Sequence, residues 1–234
     1  MINKVVIQAA GKGTRFKHLT KDKPKHLLEI SGKPFLYYQM TDLLKAGFSQ
    51  MILVVGYKAE QFEDFVKKYQ FPAQIVNQFI KVPDQYGTAC AVMAAEELVG
   101  QANFVSIAGD GLFTVADIKS MMVDDDLNYI AGLKVDNPEQ YGVLKKDGQG
   151  FLEEIIEKPQ EFVGNLVNTA FYKFTSEIFD KLKQIKESAR GEYEVVDAIT
   201  LLAKEQKVKV KELSFWQDFG KPEDIAKIEN ILKR

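Results

Sequence analysis

The chain has 234 residues, 46 % of them hydrophobic and 27 % charged, an ordinary globular balance with enough length for one domain with a real core. A net charge of −2, from 31 Lys and Arg against 33 Asp and Glu, gives no bulk field for a polyanion and argues against nucleic acid as a partner. A single cysteine, Cys90, excludes an intrachain disulfide, and no apolar run approaches the roughly 20 residues of a membrane span.

In chain order, residues 4–9 are a short apolar run that stops at Ala10-Gly11 and predicts a buried strand. A Gly- and Lys-rich loop follows to about residue 30. Pro34 and Gly47 punctuate a helix over 34–46. Residues 51–55 predict a second strand, 59–69 a polar helix with Phe62, Phe65 and Val66 on one face, and 73–77 a third strand. A helix over 88–98 and a strand over 103–108 complete an alternation typical of a parallel sheet covered on both faces. The pattern then changes. Strands are expected at 129–135, 142–146, 151–156 and 166–174, with Asp147-Gly148 as a hairpin turn. Helices at 176–187 and 194–205, a strand at 208–213 and a helix at 222–232 close the chain. The expected fold is a single α/β domain with a mostly parallel, Rossmann-like nucleotide-binding sheet and an inserted antiparallel portion. The first part covers about 1–125 and the second about 126–220. The short Val5-Val6-Ile7 run is no signal-peptide core, so a cytoplasmic location is expected.

The loop from Ala9 to Leu28 reads as a phosphate site. Ala10, Gly11, Gly13 and Thr14 let backbone N–H groups approach an anion, and Lys12, Arg15, Lys21, Lys23 and Lys25 surround it with positive charge. The spacing is not that of a Walker loop, and Phe16 stands where the dinucleotide fingerprint needs its third glycine. Asp110 ends a buried strand, and Asp218 lies in Trp216-Gln217-Asp218-Phe219-Gly220. Two such carboxylates suit a hard divalent cation that also binds phosphates, although an Asp before a Gly is more often a turn residue.

The string Ala9-Ala10-Gly11-x-Gly13-Thr14-Arg15, followed by Pro24-Lys25-x-Leu27-Leu28, closely resembles the signature of the sugar-nucleotide pyrophosphorylases, the nucleoside-triphosphate:sugar-1-phosphate nucleotidyltransferases. The resemblance continues in order to about Asp224. Gln8 and His18 depart from its usual pattern. By resemblance Asp110 and Asp218 hold Mg²⁺, while Arg15, Lys25 and Lys158 contact the reacting phosphates. Gln78 and the Gly87-Thr88 segment then read a pyrimidine base, and Gly142, Glu157 and Asn168 line the sugar site. Ala170 replaces a usual glycine in Asn168-Thr169-Ala170-Phe171-Tyr172. His26 is expected to be a loop residue without an acid–base role, Asp197 a structural helix residue and Cys90 a small core residue.

The resemblance implies that a nucleoside triphosphate, UTP or dTTP, and a sugar 1-phosphate, glucose 1-phosphate above others, are the partners. Alternatives are a GTP:mannose-1-phosphate guanylyltransferase, a non-catalytic nucleotide-sugar-binding regulatory paralogue, and a glycosyltransferase. The last would carry Asp-x-Asp after a strand, whereas the only acidic run is Asp124-Asp125-Asp126. No room for a β-helix acyltransferase extension is expected, and homo-oligomerisation is left open.

Overall fold

The computed structural model describes residues 2–233. Strand β1 (Lys4–Ala9) runs into the glycine-rich segment, which is not open loop. It forms 3₁₀ turns over Thr14–Thr20 and Lys25–Leu27, then a two-residue hairpin of β2 (Glu29–Ile30) and β3 (Lys33–Pro34). Helix α1 (Phe35–Ala46) begins after Pro34 and ends at Gly47, whose φ of 113° lets its N–H reach the Leu43 and Leu44 carbonyls. β4 (Gln50–Val55), α2 (Ala59–Tyr69) and β5 (Ala73–Asn77) follow as predicted.

The next stretch differs from expectation. Gln78 opens a one-turn helix that no expected element covers, α3 (Gln78–Lys81), capped by the Asn77 side chain, and is 2 % exposed. The helix expected over 88–98 is two, α4 (Thr88–Met93) and α5 (Glu96–Val99), broken at Ala94-Ala95. After β6 (Phe104–Ala108) comes a two-residue strand, β7 (Gly111–Leu112), and α6 (Val115–Ser120).

The second half holds β8 (Asn128–Lys134), β9 (Gly142–Lys146), β10 (Leu152–Glu157) and β11 (Leu166–Phe174). Asp147 makes the β9–β10 turn by accepting the N–H groups of Gln149 and Phe151, each at 2.8 Å. Only Ile178–Leu182 of the expected 176–187 helix is α-helical (α7). α8 (Val195–Lys204), β12 (Val208–Glu212), β13 (Gln217–Asp218) and α9 (Asp224–Leu232) complete the chain.

Among the described residues nine strands form one sheet, with the path β10-β9-β11-β6-β1-β4-β5; β8 joins through β11, and β12 through β8. β6, β1, β4 and β5 are mutually parallel. β11 lies antiparallel on β6, so the antiparallel strands extend the same sheet. The β12–β8 pair is parallel, an exception within that portion.

Period-two alternation sends each strand to both faces. Val6, Ile52 and Val54 pack on α4, α5, α7 and α8, while Val5, Ile7, Met51, Leu53 and Val55 pack on α1, α2 and α6. Each such side chain, fully buried, contributes about 1.5–3 kcal/mol. Cys90 is buried, as expected, and Asp125 serves the fold by accepting the buried Lys173 ammonium at 3.0 Å. A smaller cluster joins Phe16, Phe35 and Phe219. The Phe16 and Phe219 rings meet edge-on at 4.8 Å, so the residue that breaks the dinucleotide fingerprint ties the glycine-rich segment to the chain beside Asp218.

Ala170 sits at φ +54° where the β11–β8 register shifts, with its N–H on Asn168 Oδ1 at 2.9 Å. That conformation costs an alanine about 1–2 kcal/mol, part of which glycine returns as unfolded-state entropy. Ala170→Gly is therefore expected to raise the melting temperature by about 2 °C, measured by differential scanning calorimetry. An unchanged or lower value would mean that methyl packing outweighs the strain.

Candidate active site

Two strand ends and one short ladder build the site. β1 delivers the glycine-rich segment, and β6 ends in Gly109-Asp110. β13 pairs antiparallel with β7, setting Asp218 opposite Gly111, and Phe219 N–H donates to the Asp110 carbonyl at 2.8 Å. Two residues far apart in sequence are thus brought side by side. Neither β7 nor β13 has a sequence signature, because two residues show no periodicity.

A cavity of about 190 Å³ opens beside this ladder. Ala10, Gly11, Gly13, Lys25, Gln78, Gly87, Thr88 and Asp110 all line it. A second cavity of about 330 Å³ is lined by Arg15, Asp218, Tyr141 and Trp216, among others. Thr14 lies outside both, at the start of its 3₁₀ turn. Gly142, Glu157, Lys158 and Asn168 also lie outside them. They form a separate group: Glu157 pairs with Gly142 across β9–β10, and a Cβ on Gly142 would come within 3.1 Å of Glu157 Oε2 and 4.0 Å of Asn168 Cβ. Asn168 spends its side chain internally, donating to Tyr172 Oη at 3.1 Å. Lys158, exposed at φ +45°, donates its N–H to the Tyr141 carbonyl at 3.0 Å. Tyr141 meets the Trp216 ring edge-on at 5.4 Å, which links this group to the Asp218 strand.

The electrostatics single out the carboxylate pair. Burial works to raise Asp110, but the Lys25 ammonium, 2.5 Å from its Oδ2, prevails and holds it below the usual range. Asp218 is pushed up to about 7 by burial and by the Asp110 charge, with Lys25 and Arg15 opposing. Lys25 thus pairs directly with Asp110, while Asp218 feels Lys25 and Arg15 as weaker opposing charges. Among the described residues no group of three or more His, Cys, Asp or Glu side chains could hold a metal. The pair fits a hard divalent ion that takes the rest of its shell from phosphate and water.

His26 corrects the expectation of a plain loop residue. It is 3 % exposed, and burial and then Lys25 lower it to about 3, so the ring is neutral. It packs against the Gly109 backbone, where an added Cβ would lie 3.1 Å from its Cδ2. Its Nδ1 is buried without a hydrogen-bond partner among the described residues, and Gln78 shares that condition. The Gln78 atom is Nε2, at the wall of the smaller cavity. Such an atom costs about 1–3 kcal/mol until a partner arrives. Gln39 and Asp117, which no motif marks, are buried polar residues that hold the segments carrying Asp110 and Asp218.

Comparison with known proteins agrees with this architecture. Residues 4–234 match the nucleotidyl transferase family. The chain is 38 % identical, over 96 % of its length and 54 % of the relative's, to a bifunctional sugar-1-phosphate nucleotidylyltransferase/acetyltransferase of Sulfurisphaera tokodaii. It is 34 % identical to the UTP–glucose-1-phosphate uridylyltransferase AglF of Haloferax volcanii, covering 97 % of this chain and 96 % of that one. The chain spans about half the length of the bifunctional relatives. A UDP-glucose pyrophosphorylase solved with UDP-glucose superposes with a TM-score of 0.88 at 25 % identity, covering 100 % of both chains. From the glycine-rich turn to the last helix, the chain belongs to the nucleotidyl transferase family.

Proposed function

We propose that the protein joins a nucleoside triphosphate, UTP or dTTP, to a sugar 1-phosphate, glucose 1-phosphate in the first instance, releasing pyrophosphate. One observation carries this reading: the unpartnered Gln78 amide faces the same cavity as Lys25 and Asp110. One wall thus offers a donor for a base edge and another a charged seat for phosphate. A planar amide matches the imide edge of uracil or thymine. The names of the Haloferax relative and of the UDP-glucose complex support a uridine nucleotide.

In this reading an oxygen of the sugar phosphate attacks the α-phosphorus, that P–O bond forms, and the bond to pyrophosphate breaks. The nucleophile is already ionised, so no strong base is required, and the neutral His26 is consistent with that. Lys25 holds the α-phosphate, Arg15 the departing phosphates and Lys158 the attacking one, so catalysis is positioning and charge stabilisation. Gly142, Glu157 and Asn168 form the sugar end. Asp110 and Asp218 would hold a divalent cation, Mg²⁺, which when bound offsets charge on the phosphate oxygens.

The test is pyrophosphate release from four triphosphates, each against glucose, mannose and N-acetylglucosamine 1-phosphates. The highest kcat/KM is expected for UTP or dTTP with glucose 1-phosphate. Gln78→Ala is expected to lower pyrimidine-over-purine discrimination by about tenfold while turnover persists, the worth of one buried hydrogen bond. A preference for GTP with mannose 1-phosphate would overturn the base and sugar assignments. Unchanged selectivity in Gln78→Ala would remove that residue from the site.

A further inference from the structure

The two acidic groups come from different segments, and their separation depends on what holds each segment. We propose that Gln39 and Asp117 are positioning residues that fix this separation without touching substrate. The proposal rests on the nucleotidyl-transfer reading above.

Gln39, on α1 and 1 % exposed, donates from one Nε2 to the Ala108 carbonyl and to the Gly111 carbonyl, each at 2.7 Å. These carbonyls flank Gly109-Asp110, so one amide group closes the turn that carries the first carboxylate. Asp117, on α6 and 7 % exposed, holds the other segment. Its Oδ1 accepts Ser214 N–H at 2.9 Å; its Oδ2 accepts the Ser214 hydroxyl at 2.8 Å and Phe215 N–H at 3.1 Å. Helix capping does not need these bonds, because Thr114 Oγ1 already caps α6 by accepting Asp117 N–H at 3.0 Å. They tie the chain just before Trp216-Gln217-Asp218 to the helix that follows Asp110. Between the two anchors lie the β7–β13 ladder of two residue pairs, too short to keep its own register, and the bond from Phe219 N–H to the Asp110 carbonyl. Hydrogen bonds to a buried carboxylate are among the strong ones, so the anchors rather than the ladder fix the geometry.

The test reads metal binding as well as turnover, since groups that orient metal ligands typically change metal affinity about 10–100-fold. Mn²⁺ is titrated into wild type, Asp117→Asn and Gln39→Met with UTP present, and free Mn²⁺ is read by electron paramagnetic resonance. KM for glucose 1-phosphate is measured in parallel. Each variant is expected to weaken Mn²⁺ binding about tenfold or more, with KM for glucose 1-phosphate moving about twofold or less. An Mn²⁺ affinity within about twofold of wild type overturns the proposal, and so does an equal change in both constants, the mark of general loosening. Ser214→Ala removes one Asp117 bond from an exposed position, and about threefold weaker Mn²⁺ binding is expected; this keeps the test decisive if a buried substitution fails to fold. Absence of pyrophosphate release by wild type with any triphosphate would overturn the transfer reading instead, while the Mn²⁺ affinities still decide the positioning.

Discussion

Asp218→Asn and Asp110→Asn are each expected to lower kcat for pyrophosphate release by about a thousandfold. Each removes one of the two adjacent carboxylates that would hold a cation where phosphate charge must be offset. Losing one metal contact costs several kcal/mol of transition-state stabilisation, and each 1.36 kcal/mol is tenfold in rate. Stability separates this loss from unfolding. Folded Asp218 keeps its proton up to about pH 7, whereas an unfolded aspartate gives it up near 3.8. The folded state therefore binds more protons between these values, and Asp218 lowers stability as pH rises through that window. Metal-free Asp218→Asn should accordingly melt no lower than wild type at pH 4 and higher than wild type at pH 8. Turnover within threefold of wild type for both variants would end the metal assignment.

Gly87→Ala is expected to lower the melting temperature by about 10 °C. Gly87 sits at φ +136°, and a Cβ there would lie 2.1 Å from the Tyr193 carbonyl oxygen and 2.6 Å from its nitrogen. The Tyr193 backbone cannot withdraw, because its N–H is bonded to the Tyr86 carbonyl at 2.8 Å and its carbonyl accepts Ala89 N–H at 3.0 Å. Thr88 Oγ1 adds a third tie by accepting Val195 N–H at 3.0 Å. Backbone strain of about 1–3 kcal/mol and overpacking of a similar size act together, each kcal/mol shifting a chain of this length by roughly 2–4 °C. Thermal unfolding measures it, and a fall below 2 °C would show that the clasp yields. The Gly-Thr pair that the resemblance associates with a base is thus also a backbone fastening between α4 and α8.

The parallel strands were legible because they are buried on both faces and read as unbroken apolar runs, as in Val5-Val6-Ile7 and Met51 to Val55. The α1 boundaries were legible because Pro34 and Gly47 carry their own backbone constraints. The break at Ala94-Ala95 was not, since alanine favours helix and neither residue carries a break signal; both are buried. Gln78 illustrates a different limit. Its amide chemistry was readable, but its place in a buried helical turn depends on the Asn77 cap and on neighbours remote in sequence. The two aspartates could be picked out by motif; their adjacency could not, because it is made by β7 and β13, two residues each. Asp117 looks like any capping acid in sequence, and only the folded chain shows it bonded to residues 214 and 215.

The seam between β6 and β11 has a mechanical consequence. Four residue pairs, Phe171 to Phe174 against Phe104 to Ile107, run through the middle of the sheet path and stitch the parallel and antiparallel strands into one plate. No jaw can open there without breaking central backbone bonds. The amide protons on either side of the seam should be given up to solvent together, only when the whole plate comes apart.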